Sequence, residues 1–194
     1  MKKVVVVDYD PAWPAVFDRL RDQAWPVVQD VAISIEHIGS MSVPGLASKS
    51  IIDLSIVTPS AAEVPLTIER LTTLGYIHRG HLGIEGREAF KQPDELPRHH
   101  LYLCPQSSLG LKNPLALRDY LRTHPDIAQA YGDLKKQLAD QFPHDIDSYV
   151  EGKTDFILGI LRQQGFSQEQ CAVIDQVNRI QKQDSNWKEW RVWT

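Results

Sequence analysis

One carboxylate in an apolar strand constrains this chain more than any other feature. Residues 50–57 read Ser-Ile-Ile-Asp-Leu-Ser-Ile-Val, with Asp53 in the middle. A lone carboxylate is costly to bury without a partner. The fold must therefore bring a partner to it, Lys49 being one candidate, or open one face to solvent. Alternation puts Ile51, Asp53 and Ser55 on one face and Ile52, Leu54 and Ile56 on the other. The second face is uniformly apolar and is the expected core face. The first is expected to reach a solvent-accessible pocket shared with a Gly39-Ser40 turn. That turn ends a preceding strand, 33–38, and a loop from Gly39 to Ser48 joins the two strands.

The small residues of this loop invite comparison with a P-loop. That motif needs Gly, four residues, then Gly-Lys-Ser/Thr and a helix. Here Lys49-Ser50 lies four residues after Gly45 and a strand follows, so the motif is absent. A different arrangement fits the order strand, Gly-Ser, loop, strand, Asp. Backbone N–H groups near Gly39 and Ser40 can approach phosphate oxygens closely, because Gly carries no side chain. A carboxylate on the next strand can hold a divalent cation that bridges the same phosphates. From the pattern alone, a tight hairpin with an incidental Asp fits equally well.

The rest of the chain divides in character. Val4 to Val7 reads as a short strand. Asp10-Pro11 reads as an N-cap with proline at the first helical position. The helix that follows, to about Val28, carries Trp13, Val16, Phe17 and Leu20 at helical spacing, with Pro26 expected to kink or split it. A helix over 63–74 closes at Gly75. Residues 76–104 read as two or three short strands. From Pro114 the chain reads as helical: one helix ending near His124-Pro125, then 128–142 and 146–163. A last helix starts near Ser167, with Gln170 completing a capping box. The expectation is one domain over 1–194. It comprises a mixed α/β core over 1–105, a helical part over 106–166, and an extra helix with a Trp-rich tail over 167–194.

His37-Ile38-Gly39-Ser40, Val43-Pro44-Gly45-Leu46-Ala47-x-Lys49 and Ile51-Ile52-Asp53 closely resemble the GrpB family of the nucleotidyltransferase-like superfamily. Further stretches carry the same resemblance. They are Tyr9-Asp10-Pro11-x-Trp13, Arg98-x-His100-Leu101, Leu117-Arg118-Asp119-Tyr120-Leu121-Arg122-x-His124-Pro125, Tyr131-x-x-Leu134-Lys135, Tyr149 and Lys153-x-x-Phe156. They cover roughly residues 4 to 162. The resemblance implies an α+β fold: a mixed-sheet nucleotidyltransferase-like core with a C-terminal helical half. It implies a nucleotide or phosphorylated metabolite as ligand, Mg²⁺ or Mn²⁺ on Asp53, and transfer of a nucleotidyl group. It also implies an alternative, since the family is found fused to dephospho-CoA kinases: a ligand-binding module without turnover, or a partner protein in coenzyme A metabolism. The chain departs from the superfamily pattern at one point. Active members carry two carboxylates one residue apart and a third on a later strand. Here the second position is Ser55, and residues 98–103 offer Arg98, His99, His100 and Tyr102 but no carboxylate.

Four of the seven histidines, His78, His81, His99 and His100, lie between residues 78 and 100 beside Arg79, Arg87, Lys91 and Arg98. They read either as an anion-binding wall or as a solvated hairpin. His100 is the candidate proton donor or acceptor, because it shares strand parity with Arg98 and Tyr102. His37 is a candidate on the Gly39 side, or a packed structural histidine. Arg118 and Arg122 share a helical face and can grip a phosphate, with Lys49 and Lys153 as further cations; the plain alternative is a surface pair linked to Asp119 or Asp126. No histidine or cysteine spacing makes a zinc site. The expected site is therefore Asp53 and His100 as catalytic residues, with His37, Gly39, Ser40, Lys49, Arg98, Arg118, Arg122 and Lys153 binding ligand.

Net charge is −4, which argues against a dedicated nucleic-acid binder. The apolar run after Lys3 is too short for a signal peptide, no stretch is long enough to span a membrane, and two distant cysteines suit a reducing cytoplasm. Trp187, Trp190 and Trp193 recur every third residue and are expected to pack on the domain or to form a homodimer contact.

Overall fold

The computed structural model describes residues 3–180; the Trp triplet lies outside them. Two compact units share the chain in alternation. Among the described residues, one holds the chain up to Asp10, Val43–Ser50 and the chain from Ala116 onward; the other holds Pro11–Ser42 and Ile51–Leu115.

The sheet unit carries α1 (Trp13–Val28), β1 (Ser34–Ile38), β2 (Ile52–Thr58), α2 (Val64–Thr73), β3 (Ile77–His78), β4 (Glu88–Lys91) and β5 (His99–Pro105). Strand order is β1-β2-β5-β4-β3. β2 and β5 run parallel, and the other neighbours are antiparallel. This is the mixed sheet of an α+β fold. Ile52, Leu54, Ile56, Leu101 and Leu103 are buried on one face, as alternation requires. α1 buries Trp13, Phe17, Leu20, Ala24 and Val28 at three- and four-residue spacing, a single apolar stripe.

Local chemistry sets the element ends. α1 starts at Trp13, two residues later than the Asp10-Pro11 signal indicates, with Ala12 as its uncapped N-cap. Pro26 does not split the helix, because the Gln29 N–H still reaches the Trp25 carbonyl at 2.9 Å. Before α2, Ser60 and Glu63 form a reciprocal capping box around the 3-10 turn Ala61–Glu63. Gly75, at φ +82°, ends the α2 segment.

The helical unit holds the end of α3 (Leu109–Thr123), then α4 (Pro125–Gln141), α5 (Ile146–Gln163) and α6 (Gln168–Ile180). α3 begins five residues ahead of Pro114, where Ser108 Oγ accepts from the Leu111 N–H. At α6 the capping box is complete, Ser167 N–H donating to Gln170 Oε1 and Gln170 N–H to Ser167 Oγ. The strand expected over 4–7 reduces to one bridge between Val7 and Ser48. Val4 turns inward against Leu138, Ala139 and Tyr149, while Val5 is left exposed. β-branched residues make a ladder only where a partner strand is supplied.

The segment 43–50 belongs to this unit's core. Val43 and Leu46, each 1% exposed, pack with Leu121, Ala128, Tyr131 and Ile160. Gly132 on α4 faces this segment, where a methyl group would make ordinary contact, 3.6 Å from the Ala47 and Leu46 side chains. Lys135, 2% exposed, donates from Nζ to the Ala47 carbonyl and lies 4.7 Å from the centre of the Tyr131 ring. What reads in sequence as a loop of small residues is docked chain.

Candidate functional site

Asp53 and His100 are nearest neighbours across the parallel β2–β5 pair. Their side chains meet on the same face, His100 Nδ1 lying 2.7 Å from Asp53 Oδ1. The histidine side chain is 7% exposed and the carboxylate 24%. The partner Asp53 requires is thus a histidine 47 residues away. On its other flank Asp53 meets the turn after β1. Gly39 sits at φ +71°, in the left-handed region that favours glycine. A methyl group on Gly39 would stand 2.2 Å from Asp53 Oδ2. Ser42 Oγ donates to the Gly39 carbonyl at 2.6 Å and fixes the 3-10 turn Ser40–Ser42 behind it. Asp53, His100, Gly39 and Ser40 therefore lie at one end of the β1-β2-β5 sheet. Arg98, half-buried just before β5, has the parity of His100, and burial pushes its guanidinium pKa down.

The same face closes further along. Ser55 is 1% exposed, beside the buried Cys104 thiol, whose pKa burial pushes up. Val57 and Cys104 pack under Leu111 of α3, with Tyr102 and Leu115 against them. The expectation that Asp53 and Ser55 both floor an open site is corrected here: only the Asp53 end is open. This also bears on the divalent metal expected on Asp53. The superfamily's second carboxylate position holds a sealed hydroxyl. One oxygen of Asp53 is engaged by His100. Among the described residues no three His, Cys, Asp or Glu side chains are grouped to hold a metal ion. The residues do not fit a paired-carboxylate metal centre.

Of the other expected site residues, His37 lies in the same unit as Asp53, and Lys49, Arg118, Arg122 and Lys153 lie in the helical unit. His37 turns to the opposite face of the sheet, its ring stacked on Phe17 at 4.5 Å between centroids. The histidine cluster disperses. His78 pairs with Glu88 at 2.6 Å, and His81 Nδ1 accepts from the Gly83 N–H. His99 is buried on the core face. There its Nδ1 donates to the Pro97 carbonyl at 2.6 Å and its Nε2 accepts from Tyr76 at 2.8 Å. Both bonds suit the neutral ring, and burial lowers the His99 pKa to about 4. Within the helical unit, Lys49 and Lys153 meet on one ring, their ammonium groups 5.6 and 4.5 Å from the centre of Tyr149. Arg118 Nε donates to Asp119 at 2.7 Å, and Arg122 is exposed one helical turn on. Sequence reading named Lys135 within a family motif but gave it no role; its place among the buried positions of α4 is the signal that marks it as buried.

A mixed sheet with a glycine turn against a strand carboxylate defines a nucleotidyltransferase-like fold. The solved structure of Cid1 poly(U) polymerase with Mg 3′-dATP shares that fold at a TM-score of 0.52, with 13% identity, over 79% of this chain and 49% of that one. The chain belongs to the GrpB family, whose family model, described as GrpB protein, matches residues 3–163. The crystal structure of GrpB from Enterococcus faecalis superimposes at a TM-score of 0.73, with 35% identity, over 82% of this chain and 96% of that one. UPF0157 protein YqkA of Bacillus subtilis is 38% identical over 156 residues, which is 80% of this chain but 46% of YqkA, so the chain spans about half the length of that relative. Glutamate-rich protein GrpB of Alkalihalophilus pseudofirmus is 28% identical over 83% of this chain and 95% of its own length. No helix among the described residues is long and apolar enough to cross a membrane.

Proposed function

We propose that this GrpB-family protein binds a nucleotide or other phosphorylated metabolite at the Gly39-Ser40 turn and acts on its phosphate at the Asp53–His100 pair, transferring a nucleotidyl group to an acceptor. The observation that carries this reading is the packing of Asp53 between His100 Nδ1 and the side-chain-free Gly39, at the open end of a nucleotidyltransferase-like sheet. Arg98 supplies positive charge on the same parity. In this reading Mg²⁺ or Mn²⁺ arrives on the ligand's phosphates. A thermal-shift screen of nucleoside triphosphates and coenzyme A precursors, with and without Mg²⁺ or Mn²⁺, tests it. A ligand that binds only the native state raises Tm by mass action. A flat response to all of them would sink the proposal.

A second reading follows from Ser55. With the paired carboxylate replaced by a buried hydroxyl, the site suits a module that binds the ligand without turnover. A Dephospho-CoA kinase of Mycolicibacterium paratuberculosis is 26% identical over 77% of this chain and 43% of its own length, so a coenzyme A precursor belongs in the screen. Product formation from a bound nucleotide separates the two readings.

A further inference from the structure

Arg87 is a cation that the sheet unit fixes in place without giving it a carboxylate. It directly precedes β4 and is held along its length. Its backbone N–H donates to the Ile84 carbonyl at 3.2 Å. Its stem lies against the start of α3, where a methyl group on Gly110 would come within 2.9 Å of the Arg87 Cβ. Its guanidinium carbon lies 4.5 Å from the centre of the Tyr102 ring, a cation–π contact. Glu88, the next residue, has the opposite alternation and is taken by His78 at 2.6 Å. No described residue accepts a hydrogen bond from the guanidinium. Nε is its one nitrogen that is both buried and without a partner, so the two Nη groups are the open end of the side chain.

The ring under Arg87 belongs to the Asp53 face. Tyr102 pairs with Ser55 on β2 and with Ala89 on β4, and its ring centre is 6.2 Å from that of His100. Lys91 has the alternation of Ala89, and its partner Asp94 is 88% exposed, so that pair is weak. The β4 side of the face thus carries Arg87 and Lys91, while the Gly39 turn lies on the β1 side of Asp53. A guanidinium mounted in advance loses little freedom when its planar fork takes two oxygens of one phosphate. We propose that Arg87 binds a phosphate group on the β4 side of Asp53, away from the Gly39 turn, and so selects a ligand with two or more linked phosphates over one with a single phosphate. The proposal rests on the reading above that a phosphorylated compound binds this face.

Calorimetry with inorganic pyrophosphate and inorganic phosphate tests this on the wild type, Arg87→Met and Arg87→Lys. The wild type should bind pyrophosphate more tightly than phosphate. Arg87→Met keeps the packing of the stem and removes the cation. It should bind pyrophosphate about 10- to 100-fold more weakly, as expected for loss of hydrogen bonds to a charged group, and should lose the preference over phosphate. Its Tm without ligand should stay close to that of the wild type. A lower Tm with unchanged pyrophosphate affinity would make Arg87 a prop for Tyr102 and overturn the proposal. Should Arg87→Met not fold, Arg87→Lys decides, since it keeps the charge but not the fork. It should bind pyrophosphate about 10-fold more weakly, and wild-type affinity in that variant overturns the proposal. A wild type that binds neither anion overturns the reading above and this one with it. A wild type that binds both anions equally, or whose preference survives in Arg87→Met, overturns the role of Arg87 alone.

Discussion

Gly39, in the turn after β1, and Asp53, on β2, lie so close that the carboxylate Oδ2 fills the space a β-carbon methyl would take, 2.2 Å from its ideal position. Gly39→Ala thus meets two costs. A left-handed conformation costs a non-glycine residue about 1–2 kcal/mol, and overpacking adds about 1–3 kcal/mol. Urea denaturation should show the loss. In Asp53→Ala the second cost should largely vanish, so the double variant should be more stable than the sum of the single changes implies, by about 0.5–3 kcal/mol. Simple additivity would place the strain elsewhere.

Ser55→Asp would restore the superfamily's paired carboxylates in sequence but not in structure. Ser55 is 1% exposed beside Cys104, and an unpaired charge there should cost on the order of 3 kcal/mol or more. The expected outcome is a destabilised protein with no gain in Mg²⁺ affinity, read by thermal unfolding with and without the ion. A stable variant with new Mg²⁺ binding would contradict the sealed face described above.

His99 should make the fold acid-sensitive. Its folded pKa is lowered to about 4, while the unfolded chain keeps the ordinary value of 6.5. As pH falls from 6.5 toward 4, the unfolded state takes up a proton that the native state refuses, so stability is lost across that window and is fully present above it. At about 1.36 kcal/mol per pH unit the loss approaches roughly 3 kcal/mol. His99→Gln should be less stable at neutral pH but should show a shallower decline between pH 6.5 and 4 in urea titrations. Parallel slopes would mean that His99 is not the group responsible.

Lys135→Met keeps most of the buried stem and removes the ammonium. The Ala47 carbonyl then loses its donor, a change worth about 1–3 kcal/mol. Amide exchange should rise around Ser48 and Val7, whose backbone bridge adjoins that carbonyl. An unchanged or higher Tm would show that burying the cation costs as much as its contacts return.

Individual elements were legible because their signals are local: alternation in β2, three- and four-residue spacing in α1, and Ser167 with Gln170 at α6; the fold class came from the family resemblance. The expected parity of Asp53 matches its open face, since Ile52, Leu54 and Ile56 are the buried set. Its partner was not legible, because a parallel register between strands 47 residues apart is set by the crossover and not by either strand. Ser55 read as open because alternation assigns a face but cannot say what covers it, here the start of α3. His37 has the alternation of its strand, yet the stacking on Phe17 depends on where α1 docks. The small residues of 43–50 suit a phosphate loop and a docked segment equally, and only the helices of the second unit decide between them.

That docked segment carries a consequence for synthesis. Val43 and Leu46 leave the ribosome with β1 and β2, but the residues that bury them, Leu121, Ala128, Tyr131 and Ile160, follow much later in the chain. At about 5–20 residues per second, several seconds pass between the two. During that interval the nascent chain shows two large apolar side chains in the segment between β1 and β2. A chain stalled before Leu121 is thus one that a chaperone able to hold short apolar segments would recognise.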